Sequence, residues 1–181
     1  GDEDTGVRYV QIEPDARHVE LIIRSLGLDG VATKSLSVPG VKVTDQEFLL
    51  RQRSPKLSRE ESTLYRSNVM RASFLSQDRA DLGEAVKTLA QGMAAPTEAH
   101  LLDLKKLGRY LVGKPYVALR YVQQSFPRAV KLQVDSDHAA DKKTRRSTTG
   151  CVARFGQHVV KTTSNLQSAI GLNVSEAEYY A

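Results

Sequence analysis

The sequence contains a single cysteine, Cys151. One thiol cannot close a disulfide within the chain, so a reducing compartment, cytoplasmic or nuclear, is the expectation. Histidine is scarce too. The four present are scattered without ligand spacing, and neither CxxC nor HExxH occurs, which argues against a zinc site. No run of about 18 apolar residues exists, so no transmembrane helix is expected, and no signal peptide is read at the start. What remains is ordinary globular material. Hydrophobic residues make up 40% and charged residues 26%, a balance that argues against wholesale disorder. The net charge of +5 and pI near 9.3 permit a polyanionic partner without proving one. The 181 residues suffice for one ample domain or two small ones. The chain begins GDEDTG without methionine and stops at SEAEYYA just as a helix starts; both ends read as cuts in something longer.

Periodicity divides the chain into a helical and a strand-rich part. VRYVQI reads as a short strand, and Pro14-Asp15 opens a helix whose Val19, Ile22, Ile23 and Leu26 share a face until Gly27 stops it. GLDGVATKSLSVPGVKVTDQ, rich in Gly, Ser and Thr, has no sustained period, and a linker is expected near residues 28–57. From about Ser58 to Val112 three helical pieces follow. The first carries Tyr65, Val69 and Phe74, and the second, with Asp78 as expected cap, carries Leu82, Ala85, Val86, Leu89 and Met93. The third starts at Pro96-Thr97 and aligns Leu101, Leu104, Leu107 and Leu111 before Gly113 and Pro115. After Pro115 the period becomes two: YVALRYV, then VKLQVD with Val130, Leu132 and Val134 on one face, then two strands about a Gly156-Gln157 turn. Ser175 is the expected cap of a last helix. The fold class predicted is α+β, a helical segment followed by a three-strand antiparallel meander and the start of a helix.

The chemistry concentrates in VDSDHAADKKTRRSTTGC, residues 134–151. Acids this close repel one another and gain nothing for a fold unless a cation joins them. Asp135 leaves its strand opposite Val130, Leu132 and Val134, and a later helix offers Glu176 and Glu178. A strand end and a helix start can bring two carboxylates together, and Mg²⁺ is commonly held by one or two carboxylates plus substrate phosphates. Each residue also has a plainer role open to it. Ser175 and Glu178 fit the capping box S-x-x-E, Asp137 and Asp141 suit turns, and KKTRR, with Lys142, Lys143, Arg145 and Arg146, suits a solvated loop as well as phosphate contact.

The run from YRSNVMRASFL through PTEAHLLDL to RYLVG resembles the segment after the polymerase palm in copia-type retrotransposon Pol polyproteins. VDSDHAADKKTRRSTTGC, followed by SEAEYYA, resembles the start of their ribonuclease H domain. The resemblance covers roughly residues 60–181 and rests on the order and spacing of these strings. It implies three parts: the end of a reverse transcriptase region with a linker (1–57), a helical connection (58–126), and the beginning of a ribonuclease H-like domain (127–181). It further implies Asp135 and Glu178 as catalytic, metal-binding carboxylates, Mg²⁺ as cofactor and an RNA–DNA hybrid as partner, the four basic residues meeting its phosphates.

The departures are specific. His138 and the stretch HVVKTTSN lack the family's usual tryptophans, Ala80 replaces a proline, Gly83-Glu84 enters a usually more apolar helix, and no YxDD polymerase motif occurs. With two of the ribonuclease H acids present, this chain alone is expected to be inactive. Two other readings stay open: a degenerate or co-opted remnant that binds nucleic acid without cutting it, and a phosphatase-like protein built on the D-x-D of Asp135 and Asp137. The latter pattern wants Thr or Val where Ala139 stands.

Overall fold

A computed structural model describes residues 6–30, 32–40, 43–139 and 141–181. The acidic start GDEDT and linker positions 31, 41 and 42 lie outside the described residues. The chain is α+β and divides into two compact units. One is residues 12–119; the other joins residues 1–11 to residues 120–181.

The first unit is helical: α1 (Ala16–Ser25), α2 (Asp45–Gln52), α3 (Arg59–Leu75), α4 (Gly83–Gln91) and α5 (Glu98–Gly113), with a 3₁₀ turn at Ala80–Leu82 before α4. Its core follows the apolar stripes. Val19, Ile22 and Leu26 of the α1 region meet Tyr65, Val69, Ala72 and Leu75 of α3, Leu82, Val86 and Leu89, and Leu104, Leu107 and Leu111 of α5. Burying such side chains contributes roughly 1.5–3 kcal/mol each. Helix starts are encoded locally. Asp15 accepts from the Arg17 N–H, Thr44 and Glu47 form a reciprocal capping box, and so do Ser58 and Glu61.

Polar groups inside this unit are matched. The Tyr65 hydroxyl donates to the Leu89 carbonyl at 2.6 Å, and Asn68 accepts from Ser25 at 2.8 Å. Arg79, 0% exposed, donates to Asp81 and to the Lys114 carbonyl. Burial pushes the Asp81 carboxyl up, but hydrogen bonds from Arg79 and Tyr110 outweigh it and hold the group below the usual carboxylate range.

Three expectations change here. The 28–57 linker contains α2, which buries no residue and is tied to α5 by an Arg51–Asp103 ion pair, so its weak periodicity hid a helix set by its cap. Asp78 caps nothing, because the 3₁₀ turn intervenes and α4 begins without a side-chain cap. Phe74 is half-exposed at the edge of α3's apolar side, its ring tilted at 48° to that of His18 with centroids 4.8 Å apart.

The second unit holds β1 (Tyr9–Ile12), β2 (Leu119–Val122), β3 (Val130–Ser136), β4 (Thr148–Phe155), β5 (His158–Leu166) and α6 (Val174–Tyr179). β1 pairs with β2, and β3-β4-β5 form the expected antiparallel meander. Gly156 and Gln157 alone connect β4 to β5, with Gly156 at φ +62, the left-handed conformation a two-residue hairpin needs. Gln124 fixes this turn, accepting from the Gln157 N–H and donating to the Phe155 carbonyl, each at 2.9 Å. The apolar face of β3 departs from expectation. Val130, Leu132 and Val134 share a face, yet they are 57%, 66% and 46% exposed. A period of two reports which side of a strand is apolar; it does not report whether anything covers that side.

Candidate functional site

Asp135 stands one residue from the end of β3 and pairs across the ladder with Gly150. A glycine there puts no cross-strand side chain of its own beside the carboxylate. Asp135 is exposed, on the face opposite Val130, Leu132 and Val134, and its carboxylate makes no hydrogen bond or ion pair among the described residues.

The neighbouring acids are engaged by backbone. Asp137 accepts from the Thr148 N–H at 2.6 Å, and its own N–H donates to the Thr148 carbonyl at 3.1 Å. It closes the β3–β4 ladder. Asp141 accepts from the Lys143 N–H at 2.9 Å and the Thr144 N–H at 3.3 Å, while its carbonyl takes the Arg145 N–H at 2.7 Å. This is an Asx-type turn. It holds Arg145 at φ +59, a conformation non-glycine residues adopt at a cost of order 1 kcal/mol. The basic run is thus carried on a tight loop. Lys143 and Arg145 are exposed, while Lys142 and Arg146 are half-buried.

At the other end, α6 starts two residues earlier than its sequence suggests. Both N-V-S-E (173–176) and S-E-A-E (175–178) fit the capping pattern, and the helix uses the first. Asn173 accepts from the Glu176 N–H at 2.9 Å, and the Glu176 carboxylate accepts from the Leu172 N–H at 2.8 Å. Ser175 is therefore inside the helix, and Glu178 is released from the capping role. Like Asp135, Glu178 is exposed and its carboxylate has no partner among the described residues.

Several contacts hold α6 to the meander. Gln167, buried, donates to the Ala177 carbonyl at 2.8 Å and to Thr149 at 3.0 Å. Ala177 is fully buried against Gly171, where an added Cβ would meet it at 3.1–3.3 Å. His138, just past β3, sits 3.3 Å from the Gly171 carbonyl. Gln167, Gly171 and Asn173 are the residues sequence reading passed over. Asn173 alone carried a local signal, the overlapping capping pattern. Among the described residues no three His, Cys, Asp or Glu side chains gather into a metal-binding group.

These features define a class before a family: an antiparallel meander with a free acid at one strand's exit, to which a short helix bearing a second free acid is tied. Over 132 residues, 70% of this chain, the sequence is 34% identical to the retrovirus-related Pol polyprotein from transposon RE1 of Arabidopsis thaliana. An uncharacterized mitochondrial protein of the same plant is 32% identical over 117 residues, 65% of this chain and 48% of that protein. Secreted RxLR effector protein 161 of Plasmopara viticola is 32% identical over 103 residues, 57% of this chain and 72% of that protein. The chain belongs to the copia-type retrotransposon Pol polyprotein family. It spans 9% of the RE1 polyprotein's length. No family model and no solved structure matches it.

Proposed function

We propose that this chain is a segment of a retrotransposon reverse transcriptase/ribonuclease H polyprotein in which Asp135 and Glu178 are two of the carboxylates that hold Mg²⁺. The parent cuts the RNA strand of an RNA–DNA hybrid. The observation that carries this reading is selective. Of five acids near the meander's end, Asp137, Asp141 and Glu176 serve backbone N–H groups, while Asp135 and Glu178 serve none.

The donor set suits the ion, since hard carboxylate oxygens in small number, left open to solvent and phosphate, are what Mg²⁺ takes. Bound there, Mg²⁺ would supply water activation and charge stabilisation at the leaving oxygen. Asp135 carries its carboxylate near the end of the β3–β4 ladder, opposite Gly150, and Glu178 carries its own on a helix fastened through Gln167 and Ala177. Lys142, Lys143, Arg145 and Arg146 neutralise phosphates of the hybrid. Two carboxylates fall short of a two-metal site, so the chain by itself binds a cation weakly and does not turn over hybrid.

A second reading, nucleic-acid binding without cleavage, draws on the departures at His138 and HVVKTTSN, where the family's usual tryptophans are absent. The phosphatase-like reading loses its second acid, because Asp137 is spent on Thr148. The test is paramagnetic broadening by Mn²⁺ in amide NMR spectra of this chain. Broadening centred on residues near 135 and 178, and lost in Asp135→Asn, supports the assignment. Broadening centred on 137–141 that persists in Asp135→Asn rejects it.

A further inference from the structure

The elements that carry Asp135 and Glu178 are joined by a run of buried polar groups. Ser147, 0% exposed, stands between them. Its hydroxyl accepts from the Ala139 N–H at 3.1 Å, just past the exit of β3, and its carbonyl accepts from the Gln167 N–H at 2.8 Å. Ala139 is buried at φ +53, so this exit is held in a left-handed turn that a residue with a side chain adopts only under constraint. Gln167 then turns its own buried side chain toward α6. Its amide nitrogen donates to the Ala177 carbonyl at 2.8 Å and to Thr149 Oγ1 of β4 at 3.0 Å. A carbonyl can only accept, so the group that faces Ala177 is the amide NH2, and both of its hydrogens are engaged.

Ala177 precedes Glu178 and is the buried residue of α6. The Glu178 carboxylate has no partner of its own among the described residues, so its place is the place of the backbone that bears it. Hydrogen bonds between buried polar groups add little net stability but fix geometry closely. We propose that Gln167 is a positioning residue for the metal site. It sets Ala177, and with it Glu178, at a fixed station on the strand pair whose β3 carries Asp135. Thr149 acts through Gln167, by fixing the way its amide turns. The inference rests on the metal reading of Asp135 and Glu178, and it adds what holds the second acid in place.

The test follows Mn²⁺ broadening in amide spectra of the whole chain together with ¹⁵N relaxation of α6. Gln167→Met keeps the length of the side chain and removes both donated bonds. We expect it to lower the heteronuclear NOE over residues 174–179, the mark of faster local motion, and to leave the β4–β5 hairpin unaltered. Mn²⁺ affinity should fall about tenfold, as it does when a group orienting a metal ligand is lost. Thr149→Val should weaken binding by a smaller factor and add nothing to Gln167→Met, because the two act on one bond network. A Gln167 that is merely structural would lower the urea midpoint and leave the Mn²⁺ affinity of the folded chain unchanged, which overturns the proposal. So does an α6 as ordered in Gln167→Met as in the unaltered chain. Failure of the metal reading looks different: the unaltered chain then shows no broadening near 135 and 178, and both readings fall together whatever α6 does.

Discussion

Asp135 and Asp137 lie two residues apart on one strand exit and do opposite things. Asp137 supplies the acceptor for a part-buried Thr148 N–H at 2.6 Å, a charge-assisted bond worth more than a neutral one. Asp137→Ala should cost about 1–3 kcal/mol in urea unfolding, the penalty for a donor left unmatched. Asp135→Asn touches no bond and should stay within about 0.5 kcal/mol. Equal losses for the two would mean that Asp135 has a structural partner after all.

His100 offers a pH test at the same scale. Its Nδ1 accepts from the Thr97 N–H at 3.0 Å, closing the start of α5, and an accepting nitrogen must be unprotonated. Burial pushes this imidazole below its ordinary 6.5, against the pull of Asp103. A folded-state value below the unfolded one means the unfolded chain binds the proton more readily. The contribution is therefore complete above 6.5 and is lost as pH falls through the lowered value. His100→Gln keeps an acceptor at the same place in the box and removes the titration. Its unfolding midpoint should vary less between pH 7.5 and pH 5 than that of the unaltered chain; an unchanged pH dependence would assign the effect elsewhere.

Elements were legible in proportion to how local their causes are. α1, α3 and α5 follow from stripes and caps within a dozen residues, and the β4–β5 hairpin follows from Gly156-Gln157. α2 was missed because it has a cap and no buried face, so periodicity had nothing to report. The start of α6 was misplaced by one overlapping motif; what selects Asn173 includes Gln167 and Gly171, which act through tertiary contact that local pattern cannot contain. The candidate acids were legible as a group of five. Which two are free was not, because that depends on backbone donors brought in by β4 and by the helix cap.

The 141–146 loop carries a prediction of its own. Its cations are presented by an Asx turn, so they are placed by backbone geometry and not by mutual pairing. If they meet phosphates, hybrid affinity falls with salt, and Arg145→Ala/Arg146→Ala should flatten the log–log slope by roughly 0.9 per lost contact, about 2 in all. A slope that does not move would return the run to a solvated turn.

At the scale of the whole molecule, the two units differ in how much core each contains. Residues 12–119 bury a continuous apolar cluster, whereas the meander leaves one face of β3 to solvent. Among the described residues no helix is long and apolar enough to cross a membrane. The decisive feature is one element boundary, where β3 delivers a free acid and α6 is tied to the meander through Gln167.

The most direct test of that claim is hybrid cleavage by a Pol polyprotein that contains this segment, assayed with Mg²⁺ and a labelled RNA–DNA duplex. Asp135→Asn should reduce cleavage to background while leaving duplex binding and thermal stability in place, and Glu178→Gln should do the same. Cleavage that survives Asp135→Asn at the unaltered rate would contradict the account.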